Sequence, residues 1–401
     1  TPSKPPAPPQ LQTGPAYGLT YIPADSPASP QDWPTYRHDA GRRGASATVV
    51  PAKLRVAWQR ELGKTLSTPV TANGSLFVVG VDEHTVHCLD AANGDTRWSF
   101  VAGGRVDSPP TVADGLVLFG SRDGYCYCVS AVDGTLVWRF RGAPEERLVG
   151  SHGQVESAWP IHGSVLVRNG VVYFAAGRSS FLDGGMTVHG LDIGSGMVRY
   201  RTTIVGPDPN DPAVAKSAGR MPGALPDILV GDADALYMRH VRLSHDLTDP
   251  ITPNLLSWGL KSDTHLMAGS GFLDDTMFNR TTWRYGKRID RSQLLVVDGS
   301  QVFGLRVYSG ISWNCSVFNQ GDGYVLFRQN VSKAAPPVPP AARKEKMLNR
   351  IPFERYDWHA RVPVRVSAMV LAGSRQSAAK RRLFVAGLPD VIDPADPLAT
   401  Y

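Results

Sequence analysis

Three tryptophans recur at an interval of forty residues in this 401-residue chain: Trp58, Trp98 and Trp138. The same order of signals runs between them. The stretch "STPVTANGSLFVVG" at 67–80 matches "DSPPTVADGLVLFG" at 107–120, and "TVHCLDAANGDTRW" matches "YCYCVSAVDGTLVW", which ends on Trp138. A fixed period of this kind indicates that the fold is built from successive copies of one structural unit.

A looser third copy runs through "GSVLVRNGVVYFAAG" at 163–177 and "TVHGLDIGSGMVRY" at 187–200, where Tyr200 replaces the tryptophan. Each unit contains about four short strands, and a period near forty with four strands is typical of a β-propeller blade. The Asn-Gly or Asp-Gly pair tolerates the positive φ of a tight hairpin. We expect the aromatic residue that follows to dock its ring against the neighbouring blade. The residues predicted to dock blades are Trp58, Trp98, Trp138 and Tyr200.

The composition agrees with an all-β protein. Forty glycines and thirty-two prolines punctuate short β-branched and aromatic runs instead of forming one low-complexity block. The longest apolar runs are far shorter than the roughly 20 residues of a membrane span, so no transmembrane segment is expected. The net charge is +6, but basic and acidic residues are interleaved, which argues against nucleic acid as a partner.

The repeat also resembles a known family. An apolar strand, a Leu-Asp pair and then Gly-x-x-x-Trp, together with the segment "DWPTYRHDAGRRGAS" at 32–46, is similar to the PQQ-like repeats of quinoproteins. The outer-membrane assembly lipoprotein propeller and PQQ-like proteins of planctomycete-type bacteria carry similar repeats. The resemblance is strongest over 32–200 and implies seven or eight four-stranded blades in a bacterial, extracytoplasmic protein of the periplasm or cell envelope.

Strand signals continue to the carboxyl-terminal part, so the expected organisation is simple. Residues 1–31 are predicted to be a proline-rich linker or tether, and residues 32–401 a single β-propeller domain. The last blade is incomplete in this chain, so either an amino-terminal strand completes it or the natural chain continues past Tyr401. The predicted inserted loops are 151–164, 205–225 and 332–346.

The cysteines argue against a quinone cofactor. The family resemblance implies that a true quinoprotein dehydrogenase holds PQQ between a tryptophan and a disulfide of adjacent cysteines, and no adjacent pair exists here. No CxxCH motif for covalent haem attachment is present either. We therefore expect no cofactor and no metal. The four cysteines are expected to be buried free thiols, with one disulfide as the alternative; they are Cys88, Cys126, Cys128 and Cys315.

Several loops that break the repeat carry polar and aromatic residues. Imidazole, carboxylate, guanidinium and indole groups of this kind can bind a polar ligand if loops from several blades converge on one mouth. The alternative for each is an ordinary structural role: lone histidines make hydrogen bonds, and paired charges form ion pairs. The candidate residues of a ligand-binding mouth are His152, Gln154, Glu156, Trp159, His162, Arg239, His240, Asp274, Asp275, Trp283 and Arg284.

The sequence is compatible with three classes of function. The first is a binding or scaffold module in a protein assembly or a multi-domain protein, with a protein partner. The second is an enzyme acting on carbohydrate or another polar substrate by acid–base chemistry in the mouth. The third is a redox partner of a cytochrome. The sequence favours the first, and a small molecule or glycan stays open as a ligand.

Overall fold

The computed structural model describes residues 9–19, 29, 31–151, 153–206, 228–239, 241–249, 265–268, 271–272, 283–285, 292–306, 324–331, 356–375 and 380–390. Every regular element in these ranges is a β-strand. In chain order the strands are β1 (Leu11–Thr13), β2 (Ala45–Ser46), β3 (Val70–Ala72), β4 (Ser75–Gly80), β5 (Thr85–Asp90), β6 (Thr96–Val101), β7 (Thr111–Ala113), β8 (Leu116–Gly120), β9 (Tyr125–Ser130), β10 (Leu136–Arg141), β11 (Leu148–Ser151), β12 (Gln154–Ser157), β13 (Leu166–Arg168), β14 (Val171–Ala176), β15 (Met186–Asp192), β16 (Val198–Ile204), β17 (Leu229–Gly231), β18 (Leu236–Met238), β19 (Val241–Leu243), β20 (Leu266–Ala268), β21 (Trp283–Tyr285), β22 (Leu295–Asp298), β23 (Gln301–Arg306), β24 (Tyr324–Asn330), β25 (Trp358–Val362), β26 (Val364–Ala372) and β27 (Arg382–Pro389).

The chain divides into two compact units. Unit 1 comprises Thr1–Arg42, Lys53–Lys261 and Ser270–Asp274, and unit 2 comprises Arg43–Ala52, Ser262–Gly269 and Asp275–Tyr401. In unit 1 the sheet orders are β3-β4-β5-β6, β1-β10-β9-β8-β7, β13-β14-β15-β16 and β17-β18-β19, with a separate hairpin β11-β12. In unit 2 they are β20-β21, β22-β23-β24-β25 and β2-β26-β27. The antiparallel meanders of four successive strands (β3 to β6, β7 to β10, β13 to β16 and β22 to β25) confirm the prediction of an all-β, PQQ-like β-propeller.

The blade count differs slightly from the expected seven or eight. The described residues form six sheets of three or more strands, and β11-β12 and β20-β21 are two-stranded. The sheet that contains the last described strand has three strands and includes one from the amino-terminal part of the chain: β2 pairs with β26 in parallel, Ala45 opposite Leu371. Pairing of this kind covers an edge that would otherwise expose unpaired backbone groups.

In unit 1 the first strands of successive sheets lie side by side, in the order β3, β7, β13 and β17. Residues 33–42 run along them. The backbone of Trp33 forms an antiparallel β-bridge with Thr71, which belongs to β3. The amide of Val112 in β7 donates to the carbonyl of Pro34 at 2.7 Å. The amide of Gly231 in β17 donates to Ala40 at 2.8 Å. The segment that sequence analysis singled out for its family resemblance therefore satisfies backbone groups of the innermost strands.

Arg42 fixes the end of this segment. Its guanidinium is fully buried and donates to the carbonyls of Leu229 at 3.1 Å and Val165 at 3.2 Å, and to the hydroxyl of Thr35 at 2.7 Å. Burial lowers the pKa of Arg42 to about 10, which leaves it charged at neutral pH. A buried cation held by several oxygen acceptors ties the segment to the third and fourth sheets of unit 1.

Trp98 and Trp138 lie between successive sheets of unit 1, and Trp58 precedes the first of these sheets. Each tryptophan donates its indole N–H to a backbone carbonyl in the turn between the third and fourth strands of the next sheet. The three donor–acceptor pairs are Trp58 with Ala91 (3.1 Å), Trp98 with Ala131 (3.1 Å) and Trp138 with Ile193 (3.0 Å). Tyr200 packs instead against the core formed by the third and fourth sheets.

A glycine with positive φ lies under each indole. A Cβ at Gly94 would meet the ring of Trp58 at 2.6 Å, one at Gly134 would meet Trp98 at 2.6 Å, and one at Gly196 would meet Trp138 at 2.8 Å. The turn needs glycine for its backbone conformation, and the ring needs it for space. The spacing of Gly and Trp in the sequence thus sets both the hairpin and the contact between sheets.

Gly134 supplies both the backbone conformation of the turn and the space for the indole ring. A matched pair of variants separates these two contributions to stability. Gly134 and Gly170 have nearly the same φ, +73° and +69°, but a Cβ at Gly170 meets nothing within 4 Å. Gly134→Ala should lower the free energy of unfolding by about 1–3 kcal/mol more than Gly170→Ala, because only the former overpacks the indole of Trp98. Urea unfolding of both variants measures the difference, and equal losses would contradict this packing.

Candidate functional site

The sheet topology brings two kinds of connection to one edge of the unit 1 sheets. Neighbouring strands are antiparallel, so the chain enters the first strand of a sheet and leaves the second strand at the same edge. Charged side chains gather in these connections in three successive sheets. We call this set the charged edge; its members are Asp82, Arg105, Asp107, Arg122, Glu156 and Arg178.

The charged edge alternates in sign along its whole length. Arg105 joins Asp82 (Nη1–Oδ1, 3.1 Å) to Asp107 (Nε–Oδ1, 2.8 Å). Arg122 holds Asp107 with two hydrogen bonds, Nε–Oδ2 at 2.5 Å and Nη2–Oδ1 at 3.1 Å. Its Nη1 reaches Glu156 Oε2 at 3.2 Å. Arg178 bonds the other oxygen of Glu156. Three cations and three carboxylates thereby neutralise one another.

The centre of the charged edge is buried. The side chains of Asp107, Arg122 and Glu156 are each less than a tenth exposed. Burial tends to lower the pKa of Arg122, but hydrogen bonding and the charge of Asp107 outweigh it and raise that pKa. Burial tends to raise the pKa of Glu156, but hydrogen bonds from Arg178 and Ser151 outweigh it and lower that pKa. Arg122 and Glu156 are therefore held in their charged forms.

His162 lies beside this network in the connection that precedes β13, and it is buried. Burial, reinforced by the positive charges of Arg122 and Arg178, lowers the pKa of His162 to about 3. The imidazole is therefore neutral at any physiological pH. Glu156 and His162, two of the predicted mouth residues, both interact with Arg122 and Arg178: Glu156 as an ion-paired carboxylate and His162 as a neutral ring.

Trp159 anchors the inserted hairpin β11-β12. Its indole N–H donates to the carbonyl of Asp183 at 2.9 Å, and the guanidinium of Arg147 lies 4.7 Å from the centre of its ring. Arg147 also forms an ion pair with the carboxylate of Asp183. Gln154 lies in β12, opposite Ser151. These contacts join the hairpin to the connection after β14.

The other predicted mouth residues lie in different places. Arg239 occupies the turn between β18 and β19, the connection in its sheet that corresponds to those of Arg122 and Arg178. Trp283 is buried in β21 opposite Ala268, and Arg284 follows it opposite Met267, both in unit 2. The remaining four lie outside the described residues; they are His152, His240, Asp274 and Asp275.

Sequence reasoning missed Asp107, Arg122 and Arg178. A weak signal was available for the two arginines. Arg122 follows the glycine that ends β8 by two positions, and Arg178 follows the glycine after β14 by one. Nothing in the local sequence connects these arginines to Glu156, which reaches them from an inserted hairpin.

The described residues do not fit a PQQ site of the expected kind. Cys126 and Cys128 are buried in β9 as free thiols rather than forming a disulfide at a mouth, and Cys88 is likewise a buried free thiol. The expectation of buried free thiols is confirmed for these three, and Cys315 lies outside the described residues. Among the described residues, no group of three or more His, Cys, Asp or Glu side chains is placed to hold a metal ion.

The comparisons with known proteins agree with this fold. The family model described as "Outer membrane protein assembly factor BamB" matches residues 48–221, less than half of the chain. The chain carries PQQ-like β-propeller repeats. No curated protein matches the sequence significantly. Within the described part of the chain, no helix has the length and apolar character needed to cross a membrane.

Several solved structures resemble this PQQ-like propeller loosely. BamB from Moraxella catarrhalis is 17% identical, with 62% of this chain and 72% of that one covered and a TM-score of 0.40. The quinohemoprotein alcohol dehydrogenase from Comamonas testosteroni is 16% identical, with 92% and 47% covered and a TM-score of 0.38. The quinohemoprotein alcohol dehydrogenase ADHIIG from Pseudomonas putida HK5 is 15% identical, with 90% and 45% covered and a TM-score of 0.37. This chain thus spans less than half the length of those dehydrogenases, and their activities do not transfer to it.

The neutral state of His162 makes acid stability a direct test of the site. A folded pKa near 3 against an ordinary 6.5 means that the unfolded chain binds one more proton between these values. Stability therefore falls as pH falls below 6.5, by about 1.4 kcal/mol per pH unit for this group. The lowered pKa of Glu156 acts in the same direction at lower pH.

From pH 7 to pH 5 the wild-type chain should accordingly lose about 2 kcal/mol more of its unfolding free energy than His162→Gln loses. Urea unfolding of both proteins at several pH values measures this. Burial also lowers the pKa of His189, to about 4. His189 is present in both proteins, so its contribution to the pH dependence cancels in the comparison. Superimposable pH profiles would show that His162 titrates normally in the folded state.

Proposed function

We propose that this chain is an extracytoplasmic β-propeller that acts as a binding or scaffold module for a protein partner and not as an enzyme. The observation that carries the proposal is the internal neutralisation of the charged edge. Its carboxylates each contact at least one arginine, and the pair Glu156 and His162 has pKa values far from neutrality. A general base works best with a pKa near the operating pH.

The same network supports a surface suited to a partner. Glu156 belongs to β12, so the ion pairs of Arg122 and Arg178 hold one strand of the β11-β12 hairpin. On the opposite face of the hairpin, Leu148 is 66% exposed and Val155 is 69% exposed. Leu148 lies opposite Ser157 and Val155 opposite Gly150, which places both apolar side chains on one face. Exposed apolar side chains on a rigid support favour contact with a protein.

The family match supports the location and the kind of role. The model that matches residues 48–221 describes an outer membrane protein assembly factor. A protein of that description works with other proteins in the cell envelope, and we extend this setting to the present chain as part of the proposal. Fold alone does not fix function, so the argument depends on the charged edge and on the hairpin that it supports.

Site-specific photo-crosslinking in the native cell tests the proposal. A photo-crosslinking amino acid in place of Val155 should yield a discrete species of higher mass, because the hairpin face contacts the partner. The matched control is Val132, which is 81% exposed in the turn between β9 and β10 and lies outside the hairpin. No adduct from position 155, or the same adducts from both positions, would contradict a partner surface on the hairpin.

A further inference from the structure

The second sheet of unit 1 has a fifth strand that the repeat does not predict. β1 adds antiparallel to the outer strand β10, with Leu11 opposite Phe140 and Thr13 opposite Trp138. Backbone hydrogen bonds extend the pairing beyond the strand at both ends. The extending bonds are Arg141 N–H to Gln10 (2.8 Å), Gly14 N–H to Val137 (2.8 Å) and Ala16 N–H to Leu136 (3.1 Å).

Side chains of this segment fit defined positions along β10. Leu11 packs against the core cluster that contains Trp138, and Ala16 is buried in the same cluster. Gln12 accepts a hydrogen bond from Arg139 Nε at 2.8 Å. Gly14 passes so close to the chain that a Cβ would lie 2.2 Å from the carbonyl oxygen of Leu136. The edge therefore selects an aliphatic residue, an amide, a glycine and a small residue at these four positions.

The outer strands of the neighbouring sheets are exposed where β10 is covered. Val101 at the end of β6 is 69% exposed, whereas Arg141, forty residues later at the end of β10, is 5% exposed. Val198 at the start of β16 is exposed as well. The edge of β10 thus differs from the corresponding edges of its repeats in being covered by another strand.

The covering segment is joined to the propeller by a short stretch of sequence. Thirteen residues, "GLTYIPADSPASP" with three prolines, lie between Tyr17 and Gln31. A tether of this length gives a segment an effective local concentration of the order of millimolar. A segment of another protein with the same pattern competes with the tethered one for the same backbone groups.

We propose that the outer edge of β10 is a strand-addition site for an extended segment of a partner protein, and that residues 10–16 occupy this site in cis. The partner segment carries an aliphatic residue, Asn or Gln, a glycine and a small residue at the positions of Leu11, Gln12, Gly14 and Ala16. Main-chain hydrogen bonds supply affinity in this mode of recognition, and side-chain positions supply specificity. The site uses no residue of the charged edge, so it stands or falls separately from the proposed hairpin surface.

A labelled peptide of residues 9–18, "PQLQTGPAYG", tests the proposal with the full chain. Gly14→Val removes the tethered segment from the edge by steric clash and leaves β10 unchanged. The peptide should bind this variant at least about tenfold more tightly than it binds the wild-type chain, where the tethered segment competes. Fluorescence anisotropy measures both affinities. A peptide with the same Gly14→Val change should bind neither chain.

Two controls keep the outcome clear. Gly150→Val puts the same side chain on an exposed strand glycine with open space around it, and the peptide should bind that variant as it binds wild type. If Gly14→Val does not fold, Leu11→Asp removes the apolar anchor without a backbone clash. Equal binding to the wild-type and released chains, or no binding to a released chain with wild-type circular dichroism, overturns the proposal.

Sedimentation velocity separates a partner segment from a second copy of this chain. The wild-type chain should form no dimer through the edge of β10 at micromolar concentration, because its own residues 10–16 occupy that edge. A concentration-dependent dimer that Gly14→Val abolishes would assign the edge to exchange between copies and would overturn the partner assignment.

Discussion

The contact of an indole with a glycine is the interaction on which unit 1 depends. Each tryptophan needs a flat backbone surface in the next sheet, and a turn glycine provides it: in an Asn-Gly turn for Trp58, an Asp-Gly turn for Trp98 and a Ser-Gly turn for Trp138. The same ring also donates to a carbonyl of that turn, which fixes its orientation. The ring and the turn carbonyl are 33 residues apart in the first two copies and 55 in the third, and the same contact positions the sheet in each. The connections that carry the charged side chains are thereby brought to a common edge.

That edge shows how a polar cluster in a propeller can hold an inserted hairpin in place. Asp107, Arg122 and Glu156 are buried, and a buried charge without a partner costs several kcal/mol. Here each charge has a partner of opposite sign, and the central arginine bonds two carboxylates from different connections. Removing Arg122 would take one partner from each of the two carboxylates at once. The cluster is thus a fixed clamp on the β11-β12 hairpin.

The sequence and the structure agree best where the interaction is periodic. The forty-residue interval was enough to predict a β-propeller with PQQ-like repeats, because turn and strand signals recur at each copy. The carbonyl that each indole bonds was not predictable, since it depends on the register between sheets. The burial of Cys88, Cys126 and Cys128 followed from their position in apolar strands.

The rest could not be predicted because its contacts are long-range and occur once. Arg122 meets carboxylates 15 and 34 residues away, at separations unrelated to the repeat. The pairing of β1 with β10 spans more than a hundred residues and begins in a segment whose prolines indicate a linker. The pattern of that segment gives no strand signal by itself. The segment forms a strand because it pairs with the outer edge of β10.

Hydrogen exchange of an Arg122→Lys variant tests most directly whether the charged edge is a structural clamp. Lysine keeps the charge but lacks the planar fork with which Arg122 bonds Asp107 through two nitrogens and Glu156 through a third. The account predicts faster exchange in residues 148–157 and around Asp107, with β3–β6 unchanged, whereas Arg97→Lys at the exposed pair with Asp90 leaves exchange in residues 148–157 as it is in the wild type. Wild-type exchange rates in residues 148–157 of the Arg122→Lys chain would show that the charged edge does not hold the hairpin.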